Sequence, residues 1–169
     1  MGEPRTVRAD LMLLGAAGLW GAGFIAQRAA MEHVGPFLFN TLRYAIGAAI
    51  LLPAAHLVLR RLGQGWDRRL FRDGLVLGSV LAVAAGLQQV GMVTTTASRA
   101  GFITGLYVLM VPGIAWCFGR RPTTGNLVGI GLAFLGLALF AGPVSGPVVV
   151  GDWFVLASAA AWAMHVVLI

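Results

Sequence analysis

The chain has 169 residues, of which 59% are hydrophobic and only 11% are charged, and its formal net charge is +6. This composition is too apolar for a water-soluble domain of this length, so we expect the chain to lie in a lipid bilayer. The positive charge does not imply a nucleic-acid partner, because the basic residues flank apolar segments and do not alternate with aromatic residues on one face.

Apolar windows follow one another along the chain, and short polar gaps separate them. At about 1.5 Å per residue, each window is long enough to cross a hydrocarbon core roughly 30 Å thick. Helices are favoured there because they satisfy their own backbone polar groups. The sequence therefore predicts an all-α, polytopic membrane helix bundle with six transmembrane helices. Their expected limits are Leu11 to Arg28, Phe37 to Leu59, Gly74 to Val93, Ser98 to Phe118, Thr123 to Gly142 and Asp152 to Ile169.

The basic residues indicate the orientation of these helices. All twelve cations are arginines, and nine of them lie in three alternate gaps, which share one side of the membrane. These nine are Arg5 and Arg8, then Arg60, Arg61, Arg68, Arg69 and Arg72, then Arg120 and Arg121. The positive-inside rule assigns that side to the cytoplasm. We therefore expect a multi-pass protein of a bacterial cell membrane, with a cytoplasmic N-terminus and an external gap from Pro143 to Gly151.

The first and last predicted helices share a sequence pattern. Four residue types recur at matching offsets: Asp10 with Asp152, Leu14 with Leu156, Ala17 with Ala159 and Trp20 with Trp162. The repeating unit holds five spans, an odd number, so its second copy is inverted, as in many secondary transporters. Residues 1–145 are then a first repeat, and residues 146–169 begin a truncated second one. The repeat argues against a cleaved signal peptide at the first span, the alternative that its basic N-terminal flank leaves open.

Three segments carry a resemblance to a known family. GLQQVGMVTTTASRAGFITGLYVLMVP, LWGAGFIAQRAAMEHVGPFLFNTLRYAIGA and RRPTTGNLVGIGLAFLGLALF are similar to EamA-type proteins of the drug/metabolite transporter superfamily. The resemblance covers essentially the whole chain. It implies ten spans in an inverted five-plus-five arrangement and the export of amino acids or other small metabolites. Many such proteins have a glutamate where this chain has Gly119, Arg120 and Arg121.

Five residues are expected to face a shared central cavity and bind substrate: Trp20, Gln88, Tyr107, Trp162 and His165. The two tryptophans each lie ten residues past an aspartate, roughly 15 Å deep, although they could be packing anchors. An amide in lipid loses its water partners, so Gln88 or Gln89 should face protein or a wet cavity, and we choose Gln88. An interhelical hydrogen bond is the alternative for this glutamine.

The remaining two site residues also lie inside predicted spans. Tyr107 is roughly 14 Å past Ser98 and needs a partner for its hydroxyl group. His165 is roughly 20 Å past Asp152, and its imidazole could couple transport to protons because it changes charge near neutral pH. A hydrogen-bonded structural histidine is the alternative. Pro112 predicts a kink in the fourth span.

Several other polar residues are expected to have structural roles. Ser98 is the predicted N-cap of the fourth span, and Arg99 is an outer interfacial charge. Arg43 is close enough to the membrane surface to extend its guanidinium to the headgroups or to pair structurally. Arg28 and Glu32 have the spacing of a helical ion pair at the outer end of the first span.

The sequence gives no sign of an enzyme, a metal site or a cofactor. Cys117 is the single cysteine, and no Ser-His-acid set or phosphate-binding glycine loop is present. The expected partners are the bilayer, a small-molecule substrate and either a second half or a second copy in a homodimer. The main alternative to a transporter is a truncated or split membrane protein that does not transport alone.

Overall fold

The computed structural model describes residues 7–141 and 146–169, so part of the predicted gap from Pro143 to Gly151 lies outside the described residues. The described residues form seven α-helices. In chain order they are α1 (Val7–Met31), α2 (Pro36–Arg61), α3 (Arg68–Gly91), α4 (Ala97–Gly105), α5 (Tyr107–Cys117), α6 (Thr124–Ala141) and α7 (Val150–Leu168).

The described part of the chain is all-helical, as the sequence predicts. Five segments are long and apolar enough to cross a membrane, namely α1, α2, α3, α7 and the pair formed by α4 and α5. The fifth predicted span corresponds to α6, in which Thr124–Leu139 is a shorter apolar helix. We therefore count five helical segments of full spanning length and one shorter apolar helix in the described residues.

The fourth span is interrupted at Leu106, where α4 ends and α5 begins. The backbone N–H of Leu106 bonds to the carbonyl of Ile103 at 3.1 Å, and the N–H of Leu109 bonds to the carbonyl of Leu106 at 3.0 Å. Both bonds span three residues instead of the four of an α-helix. This interruption lies six residues before Pro112, which is itself inside α5, so the kink predicted at Pro112 stays a prediction. Gly105 has low helix propensity and Pro112 offers no N–H, so the turns between them are weakly supported.

Side-chain caps define the starts of several helices, among them α3 and α4. Asp67 Oδ1 accepts a hydrogen bond from the N–H of Leu70 at 2.6 Å and begins α3. Thr96 Oγ1 accepts from the N–H of Arg99 at 3.2 Å and begins α4. The prediction that Ser98 caps this helix is therefore wrong by two residues. Either hydroxyl could satisfy a free N–H group, and the backbone path decides which one does.

The end of α5 depends on a glycine in the left-handed conformation. Gly119 has a φ of +79°, which a residue with a Cβ atom adopts at a cost. This turn lets the N–H of Arg120 bond to the carbonyl of Ala115 at 3.0 Å, a typical helix C-terminal bond. The link that contains Gly119 and Arg120 therefore terminates a helix.

The core of the described structure surrounds α7. This helix packs against α3, α4 and α5. Its buried residues are mostly small, and they are Gly151, Asp152, Val155, Ser158, Ala159, Ala163 and Val167. Small residues allow helices to approach closely when lipid supplies no hydrophobic driving force. Large apolar side chains on α1 and α2 are mostly exposed, which suits helices whose outer faces contact lipid.

Contacts at the two ends of α7 establish its direction. Asp152, near its start, bonds to Thr95 and Arg99, which follow α3 and begin α4. Near its other end, the carbonyl of Val167 lies 3.5 Å from Nη1 of Arg120, which follows α5. Thus α7 runs parallel to α4 and α5 and antiparallel to α3. The α3–α4 turn and the start of α7 share one end of the bundle, and the Arg120 link lies at the other.

Candidate functional site

A buried carboxylate joins α7 to the turn between α3 and α4. Asp152 Oδ1 accepts a hydrogen bond from Thr95 Oγ1 at 2.5 Å. Its other oxygen, Oδ2, accepts from Nη2 of Arg99 and from the backbone N–H of Val149 at 3.0 Å. The ion pair is largely removed from solvent, with the Arg99 side chain 15% exposed and that of Asp152 7% exposed. Charge-assisted bonds of this kind are among the stronger ones in proteins.

The network extends from Asp152 to the segment before α7. Nη1 of Arg99 donates to the carbonyl of Pro147 at 3.1 Å. The bond from Val149 satisfies one of the N–H groups that lack a partner at a helix start. Asp152 also lies in the first turn of α7, where the helix dipole favours negative charge. One carboxylate therefore binds two side chains and orders the start of its own helix.

A second arginine stabilises the same end of the bundle from α1. Nη1 of Arg28 donates to the carbonyl of Met92 and lies 3.2 Å from the carbonyl of Val93 and 3.1 Å from that of Thr95. These carbonyls follow the last turn of α3 and have no partner within a helix. The expected pairing of Arg28 with Glu32 is therefore replaced by a contact between α1 and the end of α3.

The predicted site residue Gln88 lies in the interior and is hydrogen bonded to another helix. Its Nε2 atom donates to Thr104 Oγ1 of α4 at 3.0 Å, and both residues are buried. This is the interhelical hydrogen bond that we gave as the alternative to substrate binding for Gln88. Its neighbour Gln89 is only 1% exposed, and neither amide atom has a partner among the described residues.

The three aromatic site residues Trp20, Trp162 and His165 lie next to one another. The ring centroids of Trp20 and Trp162 are 5.5 Å apart in an edge-on arrangement with an interplanar angle of 67°. The rings of Trp162 and His165 are 6.2 Å apart at 88°. Both distances fall in the range of favourable aromatic contacts. The structure thus brings together residues that are separated by more than 140 positions in the sequence.

The fifth predicted site residue, Tyr107, is the first residue of α5, directly after the interruption at Leu106. Its side chain is partly buried. No hydrogen bond or ring contact joins it to Trp20, Gln88, Trp162 or His165 in the described part of the chain. Its role in substrate binding stays a prediction.

Buried polar atoms without partners among the described residues lie on several helices, and three of them are on α7. In the described residues, Ser158 Oγ, Trp162 Nε1 and His165 Nδ1 have no hydrogen-bond partner, and all three residues are on α7. Spacings of four and three residues place them on one side of this helix. Such atoms usually bond to protein, water or a ligand. We call these three residues and Gln89 of α3 the polar track.

Arg43 pairs with neighbouring side chains, which is one of the two roles predicted for it from sequence. Its Nη2 atom donates to the hydroxyl of Tyr44 at 3.1 Å. Its Cζ atom lies 5.6 Å from the ring centroid of Phe39 and 4.8 Å from that of Tyr44. These distances fit cation–π contacts, so two aromatic rings hold the guanidinium near the start of α2.

The sequence did not indicate that Thr95, Arg99 and Asp152 form one network, because it predicts Arg99 as an outer interfacial charge and Asp152 as the start of the sixth span without a contact between them. A signal was present in the predicted topology. Asp152 and Arg99 carry opposite charges and were both expected near the outer face, where pairing lowers the cost of removing them from water. Sequence could not reveal their contact, because it did not show which helices are neighbours. The described residues contain no group of three or more His, Cys, Asp or Glu side chains that could hold a metal ion.

Apolar helices of spanning length, with a polar interior formed by several of them, define a multi-pass helical membrane protein. Residues 7–142 match the EamA-like transporter family. The chain belongs to this family.

The chain is similar to an uncharacterized transporter of Archaeoglobus fulgidus. The two are 36% identical over 139 residues, a region that makes up 79% of this chain and 40% of that protein. The region that matches this chain therefore covers well under half the length of this relative. No solved structure matches the chain.

Proposed function

We propose that the chain is part of a secondary transporter that exports small metabolites, such as amino acids, by alternating access. In this proposal Trp20, Gln88, Tyr107, Trp162 and His165 face the transport path. The protein is located in the cell membrane with its N-terminus in the cytoplasm. Membership of the EamA-like transporter family supports the activity, and the arginine distribution supports the orientation.

The observation that carries the proposal is the contact between Trp20 and Trp162. In the described residues, no Cα atom of α1 lies within 8 Å of a Cα atom of α7, yet the two indole rings meet at 5.5 Å. Side chains therefore bridge a space that the helix backbones leave open. Aromatic rings at such a place can close a path in one rotamer and open it in another, without repacking either helix.

The polar track supports a path for polar molecules. Ser158, Trp162 and His165 present unpaired nitrogen and oxygen atoms in the interior. A purely structural interior would pair these atoms, because an unmade buried hydrogen bond costs about 1–3 kcal/mol. Water or a polar substrate would satisfy them. Such groups inside membrane proteins commonly mark substrate or ion pathways.

The working transporter would also contain a second unit of five helices, supplied by more chain, by a partner or by a second copy in a homodimer. The recurrence of the Asp10 to Trp20 pattern at Asp152 to Trp162 supports a second unit that begins at α7. The greater length of the archaeal relative is in keeping with this arrangement. In the inverted-repeat design, the substrate site forms where the two units meet.

Efflux measurements test the proposal. Cells expressing the protein are loaded with radiolabelled amino acids, and release into the medium is compared with that of vector-only cells. Trp20→Ala and Trp162→Ala should each lower the efflux rate about two- to tenfold, the equivalent of one aromatic contact. Trp153→Ala is the matched control, because Trp153 is on the same helix as Trp162 but is 64% exposed. Unchanged efflux in both variants, at normal membrane expression, would contradict the assigned path.

A non-transporting half that requires a partner chain is the second proposal, and it is motivated by the 40% coverage of the relative. It predicts that the chain alone inserts into the membrane and folds but gives no efflux above the vector control. Restoration of efflux by a co-expressed second unit would support it. Efflux by the purified chain in proteoliposomes would contradict it.

A further inference from the structure

We propose that Thr95, Arg99 and Asp152, which we call the latch, close the transport path at the end of the bundle that holds the α3–α4 turn. This proposal rests on the proposed function, because a latch has meaning only if the path opens to both sides in turn. It adds the residues that must separate when the path opens at this end. None of the three was among the predicted site residues.

The latch is the main polar connection between α7 and the α3–α4 turn. Asp152 binds Thr95 with one oxygen and Arg99 with the other. Arg99 continues to the carbonyl of Pro147, so it also covers the segment before α7. All of these bonds join α7 or its approach to the first five predicted spans, and none lies within a single helix.

The two ends of α7 differ in how tightly they are held. At the latch end, two buried charges and a hydroxyl are joined by two hydrogen bonds, and the backbones of α3 and α7 touch beside them. At the other end, the described polar contact is a single bond of 3.5 Å from Arg120 to Val167. Because α7 is held more tightly at the latch end, we infer that this conformation is closed at that end.

A buried ion pair suits a reversible closure. The attraction between Arg99 and Asp152 is largely offset by the loss of their hydration, so the pair adds little net stability compared with two solvated charges. When the end opens and water enters, hydration replaces the bonds that are lost. The pair can thus break and reform, whereas removal of one partner leaves a buried charge without compensation and favours the open form.

Accessibility of a buried cysteine tests the latch directly. The reporter is Ser158→Cys in a Cys117→Ser background, because Ser158 is fully buried and lies six residues, or about 9 Å, past Asp152. It is labelled with a membrane-impermeant maleimide in spheroplasts and in inverted vesicles. Asp152→Asn and Thr95→Val should raise labelling from the latch side about tenfold or more, within the range typical of couplings between two conformations. Arg72→Gln, which breaks the exposed Arg72–Asp73 pair, is the control and should leave labelling unchanged.

A second measurement keeps the test valid if these variants fold poorly. Cysteines at positions 99 and 152, in the Cys117→Ser background, are joined by a reducible bifunctional thiol reagent. The cross-linked protein should lose efflux, and reduction should restore it. Efflux by the cross-linked protein would overturn the latch proposal but leave the proposed function standing. Unchanged reporter labelling in both Asp152→Asn and Thr95→Val would also overturn it. A change in labelling in a protein without any efflux would instead count against the proposed function.

Discussion

Gly91 of α3 and Gly151 of α7 lie where the backbones of the two helices touch. A Cβ atom at Gly91 would stand 2.6 Å from the carbonyl oxygen of Gly151 and 2.6 Å from Cγ2 of Val155. A Cβ atom at Gly151 would in turn collide with the carbonyl oxygen of Gly91. Each glycine therefore occupies a position that only a residue without a side chain can fill. The contact fixes the depth at which α7 packs against α3, and so the position of Asp152 beside Thr95.

Gly91→Ala should destabilise the fold by about 1–3 kcal/mol, the usual cost of adding atoms to a filled space. The atoms it meets belong partly to backbone, which cannot move aside as a flexible side chain can. The free energy of unfolding is measured by denaturant titration in mixed micelles. Gly86→Ala is the matched control on the same helix, because a Cβ atom there meets nothing within 4 Å. Equal stability of the two variants would contradict the close crossing of α3 and α7.

Arg28→Met should destabilise the end of α3, because three carbonyl oxygens lose their donor while the apolar length of the side chain is kept. Leaving such groups unsatisfied costs about 1–3 kcal/mol in total for a partly buried site. Hydrogen exchange at residues 88–95 should accelerate, and the midpoint of unfolding should fall. Arg72→Gln provides the comparison, since its exposed ion pair is worth about 1 kcal/mol or less. Normal protection at residues 88–95 in Arg28→Met would exclude this role.

Gln88 and Thr104 should show energetic coupling in a double-mutant cycle. The variants Gln88→Leu and Thr104→Val, alone and together, are compared by their free energies of unfolding. One interhelical hydrogen bond in a membrane protein is worth about 0.6 kcal/mol on average, and the cycle should return a value of this order. Efflux measured on the same variants separates the two roles of Gln88. Thr104→Val removes only the bond, so a larger transport loss in Gln88→Leu would indicate contact with substrate.

Labelling of cysteines at the two ends of the bundle tests the topology. Val148 precedes α7 at the latch end and is 67% exposed, whereas Arg121 lies in the link after α5 at the other end. We expect Val148→Cys to react with an impermeant maleimide from outside spheroplasts and Arg121→Cys to react only in inverted vesicles. Both variants are made in the Cys117→Ser background. Reaction of both from the same side would contradict the orientation and the carrier mechanism built on it.

Local chemistry explains why much of the fold could be predicted from sequence. Runs of apolar residues must form helices in lipid, since no other open structure satisfies the backbone there, and this holds for the helices around Leu14 or Ala49 without knowledge of any neighbour. The recurrence of Asp10 and Trp20 at Asp152 and Trp162 identified two aromatic rings that do meet in the structure. By contrast, the break at Leu106 and the cap at Thr96 depend on details of the backbone path. The sequence instead predicted a kink at Pro112 and a cap at Ser98.

The amino-acid sequence by itself determined the all-helical class, the apolar lengths of the helices, the clustering of arginine in alternate links and the family, because each follows from residue type and spacing along one chain. Only the tertiary structure decided which helices are neighbours. It placed α7 against α3, α4 and α5, paired Asp152 with Arg99, bonded Gln88 to Thr104 and turned Arg28 toward the end of α3. Those contacts depend on small differences in packing between many similar apolar surfaces, and such differences leave no periodic signal in the sequence.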